Sequence, residues 1–345
     1  MSSAAVASIY WSDGFESAIG RSNLSGGAIE PKFVKFPSQA DPAGIAVDGS
    51  HIYAAIDRSF EPDSIGRADL DGGGVDANFI TGVSEPQDIA VGNDHIYWSS
   101  GFPGPEQIGR ADLDGGGADP AFITGTDSIE GIAVDSQHIY WAKGDAIARA
   151  NLNGTGVDQS FIAGTSAASD VAVDAGHVYW TNSFGSNAAI GRAGLDGSSP
   201  DQAFIRGADQ QPPISFSPQA LAVDGSYVYA STPVNGFLDG AGISRTGLNG
   251  NGLDVKFIGG DGGDFPLTSG LAVDSLNSGG GTGGDDAACR KAKKKLEKAK
   301  KKVRRAKKKV RKAAGGKAKA KAKKRLKKAK KQVKRAKKKV RKTCT

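Results

Sequence analysis

Cysteine is nearly absent: the chain has two in 345 residues, Cys289 and Cys344, both near its end. That excludes a disulfide framework for the bulk of the protein and leaves too few thiolates for a structural zinc site. No run approaches the roughly 18 consecutive apolar residues of a membrane-crossing helix. The first residues, Met1 to Ser8, lack both the basic start and the apolar core of a secretory leader. Acidic residues are missing from one stretch only. Between Arg290 and Lys342 stand 33 Lys+Arg and a single acid, Glu297, a net of +32. The remainder carries 12 bases and 36 acids, so the formal net charge of +8 is the sum of a body at −24 and an intensely basic tail. A block of like charges cannot bury itself and marks an interaction tail.

Glycine is abundant, with 49 residues at about twice the usual share, which suits a fold of tight turns. The Gly/Ser-rich stretch over 275–288 reads as a flexible linker. The expected organisation is a body over 1–274, a linker over 275–288 and a basic module over 289–345.

The body is a repeat. An Ile/Val-Tyr-(Trp) step recurs at Tyr10, Tyr53, Tyr97, Tyr140, Tyr179 and Tyr229, with spacings of 43, 44, 43, 39 and 50 residues. Each copy continues through Ile-x-Arg, a Leu-Asp/Asn-Gly turn, a Phe-Ile/Val pair and an Ile/Leu/Val-Ala-Val-Asp step. The third copy shows the order: Ile96-Tyr97-Trp98, Ile108-Gly109-Arg110-Ala111, Leu113-Asp114-Gly115, Phe122-Ile123, Ile132-Ala133-Val134-Asp135. Four short apolar runs per unit, each closed by turn residues, predict four antiparallel strands, and six such units predict an all-β, six-bladed β-propeller. The Leu271-Ala272-Val273-Asp274 step stands where an inner strand precedes Tyr-Trp, so the C-terminal strand is expected to complete the first blade and close the ring.

These residues resemble the YWTD repeats of the low-density-lipoprotein-receptor class B family, over about 10–274. The pattern departs from the family's where only the first copy keeps an acid in the fourth place (Tyr10-Trp11-Ser12-Asp13) and where Ala54 and Ala230 replace Trp. The resemblance implies a six-bladed propeller that binds or scaffolds proteins.

The repeat is also a control on catalytic readings. His51, His95, His138 and His177 hold one register position before their Tyr, whereas a catalytic His should be singular. Arg21, Arg67, Arg110, Arg149, Arg192 and Arg245 occur once per blade, so pairing with blade carboxylates is expected. The Asp-Leu-Asp-Gly turns lack the downstream Glu of a calcium loop and read as plain turns. No metal, cofactor or catalytic residue is expected. Residues that vary between copies are better candidates for a ligand face. Gln87, Asp88, Glu130, Asp170 and Gln219 precede inner strands. In the loops after the Tyr strand, Phe15, Phe60, Phe102, Phe184 and Phe237 recur. The Phe set has two readings: each caps its own blade's core, which recurrence in register favours, or the set forms an aromatic ring around an acidic centre for a cationic or sugar-like partner.

In the tail, Ala292, Leu296, Ala299, Val303, Ala306, Val310 and Ala313 fall in alternating steps of 4 and 3, and the pattern resumes from Ala322 to Val340. These heptads predict an antiparallel α-helical hairpin turning at Gly315-Gly316, with Cys289 and Cys344 joined across its open end. A lasting disulfide implies an extracellular or cell-surface location, with a start site assigned downstream of the true one. Cations such as Arg304, Arg305, Lys308, Arg325, Lys328 and Arg335 would face polyanions: cell-wall polymer, anionic membrane or nucleic acid. The tail has no aromatic residue and a single amide, Gln332, so nothing is interleaved for base readout and sequence-specific DNA binding is not expected. A clasp of the tail on its own acidic body is the alternative use of these cations. The leading expectation is a non-enzymatic binding or scaffold protein with an electrostatic anchor. The alternative is a propeller enzyme of lactonase or streptogramin-lyase-like kind with a localisation tail.

Overall fold

The computed structural model describes residues 7–58, 62–101, 106–183, 188–209, 216–232, 242–259, 269–274 and 327–328. The chain divides into two units, Met1–Gly280 and Gly281–Thr345. The first is an all-β six-bladed propeller made of six four-stranded antiparallel sheets. In blade 3 the strands are β8 (Pro86–Val91), β9 (His95–Ser100), β10 (Gln107–Asp112) and β11 (Asp119–Ile123), from the axis outward. Blades 2, 4, 5 and 6 repeat this order over 41–81, 132–168, 171–206 and 221–259. Blade 1 draws on both ends of the body. Its innermost strand is β24 (Leu271–Val273), followed by β1 (Ser8–Asp13), β2 (Ala18–Asn23) and β3 (Glu30–Lys35), and Ile9, Tyr10 and Trp11 of β1 stand opposite Val273, Ala272 and Leu271.

Each Tyr strand is buried on both faces, which is why it reads as a continuous apolar run. Side chains alternate between neighbours: Ile96 and Trp98 join Tyr53, Ala55 and Ile65 of blade 2, while Tyr97 joins Ile132, Ile139 and Trp141 of blade 4. Six apolar clusters form in this way, each shared by two adjacent blades. The six repeat tyrosines and all four tryptophans are at most 2% exposed. Burying a large apolar side chain is worth about 1.5–3 kcal/mol, so these ten residues carry much of the stability.

The Ala-Val-Asp step is explained by its acid. The carboxylates of Asp48, Asp135, Asp174 and Asp224 accept two backbone N–H groups from the turn to the Tyr strand at 2.6–2.8 Å. Their second oxygen accepts the hydroxyl of the blade's own Tyr at 3.0–3.1 Å. Asp274 accepts the Ser8 N–H and the Tyr10 hydroxyl, 266 and 264 residues away in sequence. In blade 3 Gly92 replaces the Asp, and the Tyr97 hydroxyl donates instead to the Leu152 carbonyl of blade 4.

Each repeat arginine stands across the strands from an acid but, contrary to expectation, stacks on the outer-strand Phe. The guanidinium lies 3.6–3.8 Å from the ring centre in all six pairs, Arg21–Phe33 through Arg245–Phe257. Among the described residues only Arg21 forms an ion pair with its acid, Glu30. Arg110, Arg149, Arg192 and Arg245 donate onward to the Leu carbonyl in the Leu-Asp/Asn-Gly turn of the next blade (Leu24-Ser25-Gly26 in blade 1), at 2.9–3.5 Å. That turn is the plain one expected. Its Gly N–H bonds back three residues, as from Gly154 to Asn151 at 2.8 Å, and its side-chain oxygens cap their own backbone. The turn Gly also rests on the preceding blade's Phe, as Gly154 does on Phe122 and Gly26 on Phe257.

Where Trp is missing, another ring fills the space. Gly20, Gly109 and Gly191 lie under Trp11, Trp98 and Trp180, so close that a Cβ would fall 2.1–2.2 Å from the indole. At Gly66, beside Ala54, the overlying ring is Phe36 from the preceding loop. Beside Ala230 it is Phe216.

Only Lys327 and Lys328 of the second unit are described; both are helical and exposed. Arg304, Arg305, Lys308, Arg325, Arg335, Cys289, Cys344 and the hairpin expected for 289–345 lie outside the described residues, as does the linker.

The turn glycines give a direct test. Gly154 has a φ of +80°, and a Cβ there would stand 3.0 Å from Phe122 Cζ. G154A should cost about 1–2 kcal/mol from left-handed backbone strain alone. Gly49 has nothing within 4 Å, so G49A should stay within about 0.5 kcal/mol of the parent in a denaturant titration.

Candidate functional site

The inner strands of all six blades surround a central cavity of about 180 Å³. Its wall is the repeated Ile/Leu/Val-Ala-Val step, and the surface this step shows to the cavity is more polar than apolar. Two acids interrupt it, Asp88 and Asp170. Both stand immediately before the Ile/Val-Ala-Val step, Asp88 inside β8 and Asp170 one residue before the inner strand of blade 5, at the loop end of the channel. In the six copies this position holds Gly44, Asp88, Gly131, Asp170, Ala220 and Gly270, so each Asp has a small residue on either side in the ring.

The alternation has a steric cause. A Cβ on Gly44 would fall 2.1 Å from Asp88 Oδ1, and one on Gly131 would fall 2.1 Å from Asp170 Oδ1. Each carboxylate thus occupies the room left by the preceding blade's glycine. Each also reaches the next blade: Asp88 Oδ2 accepts the Ile132 N–H at 2.8 Å, and Asp170 Oδ2 accepts the Leu221 N–H at 2.6 Å. Asp170 Oδ1 accepts the N–H of Val171 at 2.7 Å. One side chain therefore touches three consecutive blades. Hydroxyls support the backbone around them. Ser99 Oγ accepts the Asp88 N–H and donates to the Glu130 carbonyl, and Thr181 Oγ1 accepts the N–H of Asp170.

Burial pushes the Asp88 carboxyl up to about 7. Asp170 is pushed well above the usual carboxylate range, by burial first and the Asp88 charge second. The pair can hold a proton near neutrality, and it gives the channel mouth a negative potential.

The other expected site residues divide by position. Glu130 and Gln219, one residue earlier in the repeat than the Asp pair, are exposed on the loop face. Glu130 is held above its ordinary value by partial burial and the Glu106 charge. Gln87 is half-buried against Gly101. Phe15 is 86% exposed at the β1–β2 turn, so it does not cap its blade's core. That task belongs to the outer-strand Phe under each Arg. Phe60, Phe102, Phe184 and Phe237 lie outside the described residues. The four histidines pack edge-on or tilted on their own Tyr at 5.9–6.0 Å, with Asp neighbours, at one repeated position. Sequence reasoning picked out Asp88 and Asp170 but missed their alternation with glycine, which alignment of the six pre-strand positions would have exposed.

The sequence matches no protein-family model and no curated protein. The fold has many solved counterparts. A chain of a nidogen/laminin complex superposes with a TM-score of 0.57 at 16% identity, covering 77% of this chain and 98% of that one. TolB from Acinetobacter baumannii gives 0.54 at 13% identity, covering 77% and 66%. A protein of unknown function from Bacteroides caccae gives 0.54 at 11%, covering 78% and 98%. At these identities the likeness establishes the six-bladed propeller class and nothing finer.

The acid pair predicts the direction of a pH effect. A carboxyl whose folded value is raised binds its proton more tightly in the folded chain, so its contribution is complete at low pH and lost as pH rises through the folded value. The melting temperature should therefore fall between about pH 4 and pH 7. D88N, which keeps an acceptor for Ile132 and cannot ionise, should raise it at pH 8 and flatten the slope. An unchanged profile in D88N would remove Asp88 from this role.

Proposed function

We propose that the propeller is a non-catalytic binding module of YWTD-like type, and that the basic segment anchors it to polyanionic surfaces. The observation that carries the reading is the segregation of charge: +32 within 290–342 against −24 in the remainder. Cell-wall polymer, anionic membrane and nucleic acid offer the same chemistry, repeated phosphate or carboxylate charge. A body at −24 is repelled by such partners, so attraction falls to the tail and the propeller is held outward. Ring closure by the C-terminal strand fits this role, because the segment before the linker is then built into a rigid blade.

The binding reading is further supported by how the repeat uses its reactive side chains. Histidines lie on tyrosines, arginines on phenylalanines, and five of the six repeat tyrosine hydroxyls on aspartates. The loop face offers Glu130, Gln219 and the exposed Phe15 to a partner. The lactonase-like alternative draws on Asp88 and Asp170 at the channel mouth. Three of their four carboxylate oxygens already accept backbone N–H groups, which ties each Asp into its own or the next blade. A helical hairpin clamped by Cys289–Cys344 outside the cytoplasm completes the proposal.

Two measurements test it. With a random-sequence DNA duplex as generic polyanion, log K of the whole chain should fall linearly with log salt. Replacing Arg304, Arg305, Lys308, Arg325, Lys328 and Arg335 by Gln should weaken binding and flatten the slope by up to about 5, from about 0.9 per phosphate contact. Equal affinity and slope in the variant would sink the anchor reading. Thiol labelling of native protein without reductant should find no reactive cysteine; two labelled thiols would overturn the clamp and with it the argument for an oxidising compartment.

A further inference from the structure

Outside the channel, acids converge at one other place among the described residues. The carboxylate oxygens of Asp57, Asp63 and Glu85 lie within 4.8 Å of one another at the loop end of the blade 2–blade 3 interface. Asp57 ends the Tyr strand of blade 2, Asp63 precedes its Arg strand, and Glu85 precedes the inner strand of blade 3. No Lys, Arg or His among the described residues forms an ion pair with any of the three. The Asp63 carboxylate also ties the corner together, accepting the N–H of Arg58 at 3.1 Å and that of Glu85 at 2.8 Å.

A second, independent feature points to the same corner. Ser100 is 1% exposed, yet its hydroxyl has no hydrogen-bond partner among the described residues. A buried hydroxyl left unpaired costs about 1–3 kcal/mol and demands an explanation. Strand alternation fixes where it points. Ile96 and Trp98 of β9 face blade 2, and Ser100 is the next residue on that face. On the blade 2 side, Tyr53 and Ala55 face blade 3, and Asp57 is the next on that face. Ser100 also stands opposite Pro86, and the N–H of Gly101 donates to the Glu85 carbonyl at 3.2 Å. The orphan hydroxyl and the three carboxylates therefore share one interface corner. The Oε1 of Gln87, packed on Gly101, is likewise buried without a partner.

We propose that Asp57, Asp63, Glu85 and the Ser100 hydroxyl form a binding site for a hard divalent cation, calcium in the first place, that ties blade 2 to blade 3. The donor set is oxygen only, which suits calcium, magnesium or manganese and not zinc or copper. Calcium–oxygen distances of about 2.3–2.6 Å put opposite ligands roughly 4.6–5.2 Å apart, and carboxylate oxygens that all lie within 4.8 Å of one another fit inside that reach. Three negative charges need a divalent ion more than a monovalent one.

The experiment is calcium titration of the whole chain after exhaustive chelation, read by calorimetry and by the melting temperature. One calcium per chain is expected, with a melting temperature that rises with ion concentration as ligand binding to the folded state requires. D57N and E85Q should each lose at least tenfold in affinity, while their metal-free melting temperatures stay at or above the parent's because like charges have been removed. S100A should lose several-fold and also keep its metal-free stability. D88N, in the channel, should bind calcium like the parent. The proposal is overturned by a parent chain that neither takes up calcium nor melts higher with it. It is equally overturned by a D57N/E85Q double variant that keeps the full effect, or by loss in D88N alone, which would move the ion to the channel. Unchanged affinity in S100A would strike the hydroxyl from the ligand set.

Discussion

The fold hangs on one contact made six times: an arginine of one blade pressed flat on its own phenylalanine, with the next blade's Leu-Asp/Asn-Gly turn resting against that stack. The cation gains the face of the ring, the ring gains a lid, and the turn glycine can sit against the ring because it has no side chain. The turn leucine then enters the apolar cluster between the two blades. Everything a blade needs for stability is thus partly owned by its neighbour, and no single sheet has a core of its own. The same contact joins blade 6 to blade 1, through Arg245, Leu24, Gly26 and Phe257.

Against that uniform frame, function falls to what does not repeat. The inner-strand approach carries Asp, Gly or Ala at a single register position, and only two of six copies place a carboxylate there. The loops on the same face contribute acids at unrelated positions. A regular frame makes such departures visible, because each has five internal controls. Asp88 and Asp170 stand out against Gly44, Gly131, Ala220 and Gly270, and Ser100 against Ile56 of the neighbouring blade, which packs apolar at the equivalent position.

Much of this was legible in the sequence because the chain states its pattern six times. The Tyr strand, the inner strand and the turn are each announced by side chains that hydrogen-bond or bury within one blade, and local relations survive in linear order. The arginine's partner was not legible. An acid faces it in the strand register, and only the three-dimensional lie of the outer strand shows that the Phe ring takes the guanidinium. Phe15 misled for the converse reason: recurrence suggested packing, but a turn tip that projects beyond the sheet has nothing to pack on. The acid cluster was invisible because Asp57, Asp63 and Glu85 come from three different steps of two copies. Only the lateral stacking of blades makes them neighbours.

The pairing of β1 with β24 also sets how the body would respond to tension. The N–H of Asp274 donates to the carbonyl of Ser8, so the chain enters and leaves the body at the same end of two antiparallel strands. A pull applied through the flanking segments would load the rungs Ile9–Val273, Tyr10–Ala272 and Trp11–Leu271 one after another, as a zipper is opened, and not all three together in shear. The strand pair that resists heat with the rest of the ring is therefore the place where a modest mechanical force would begin to open it.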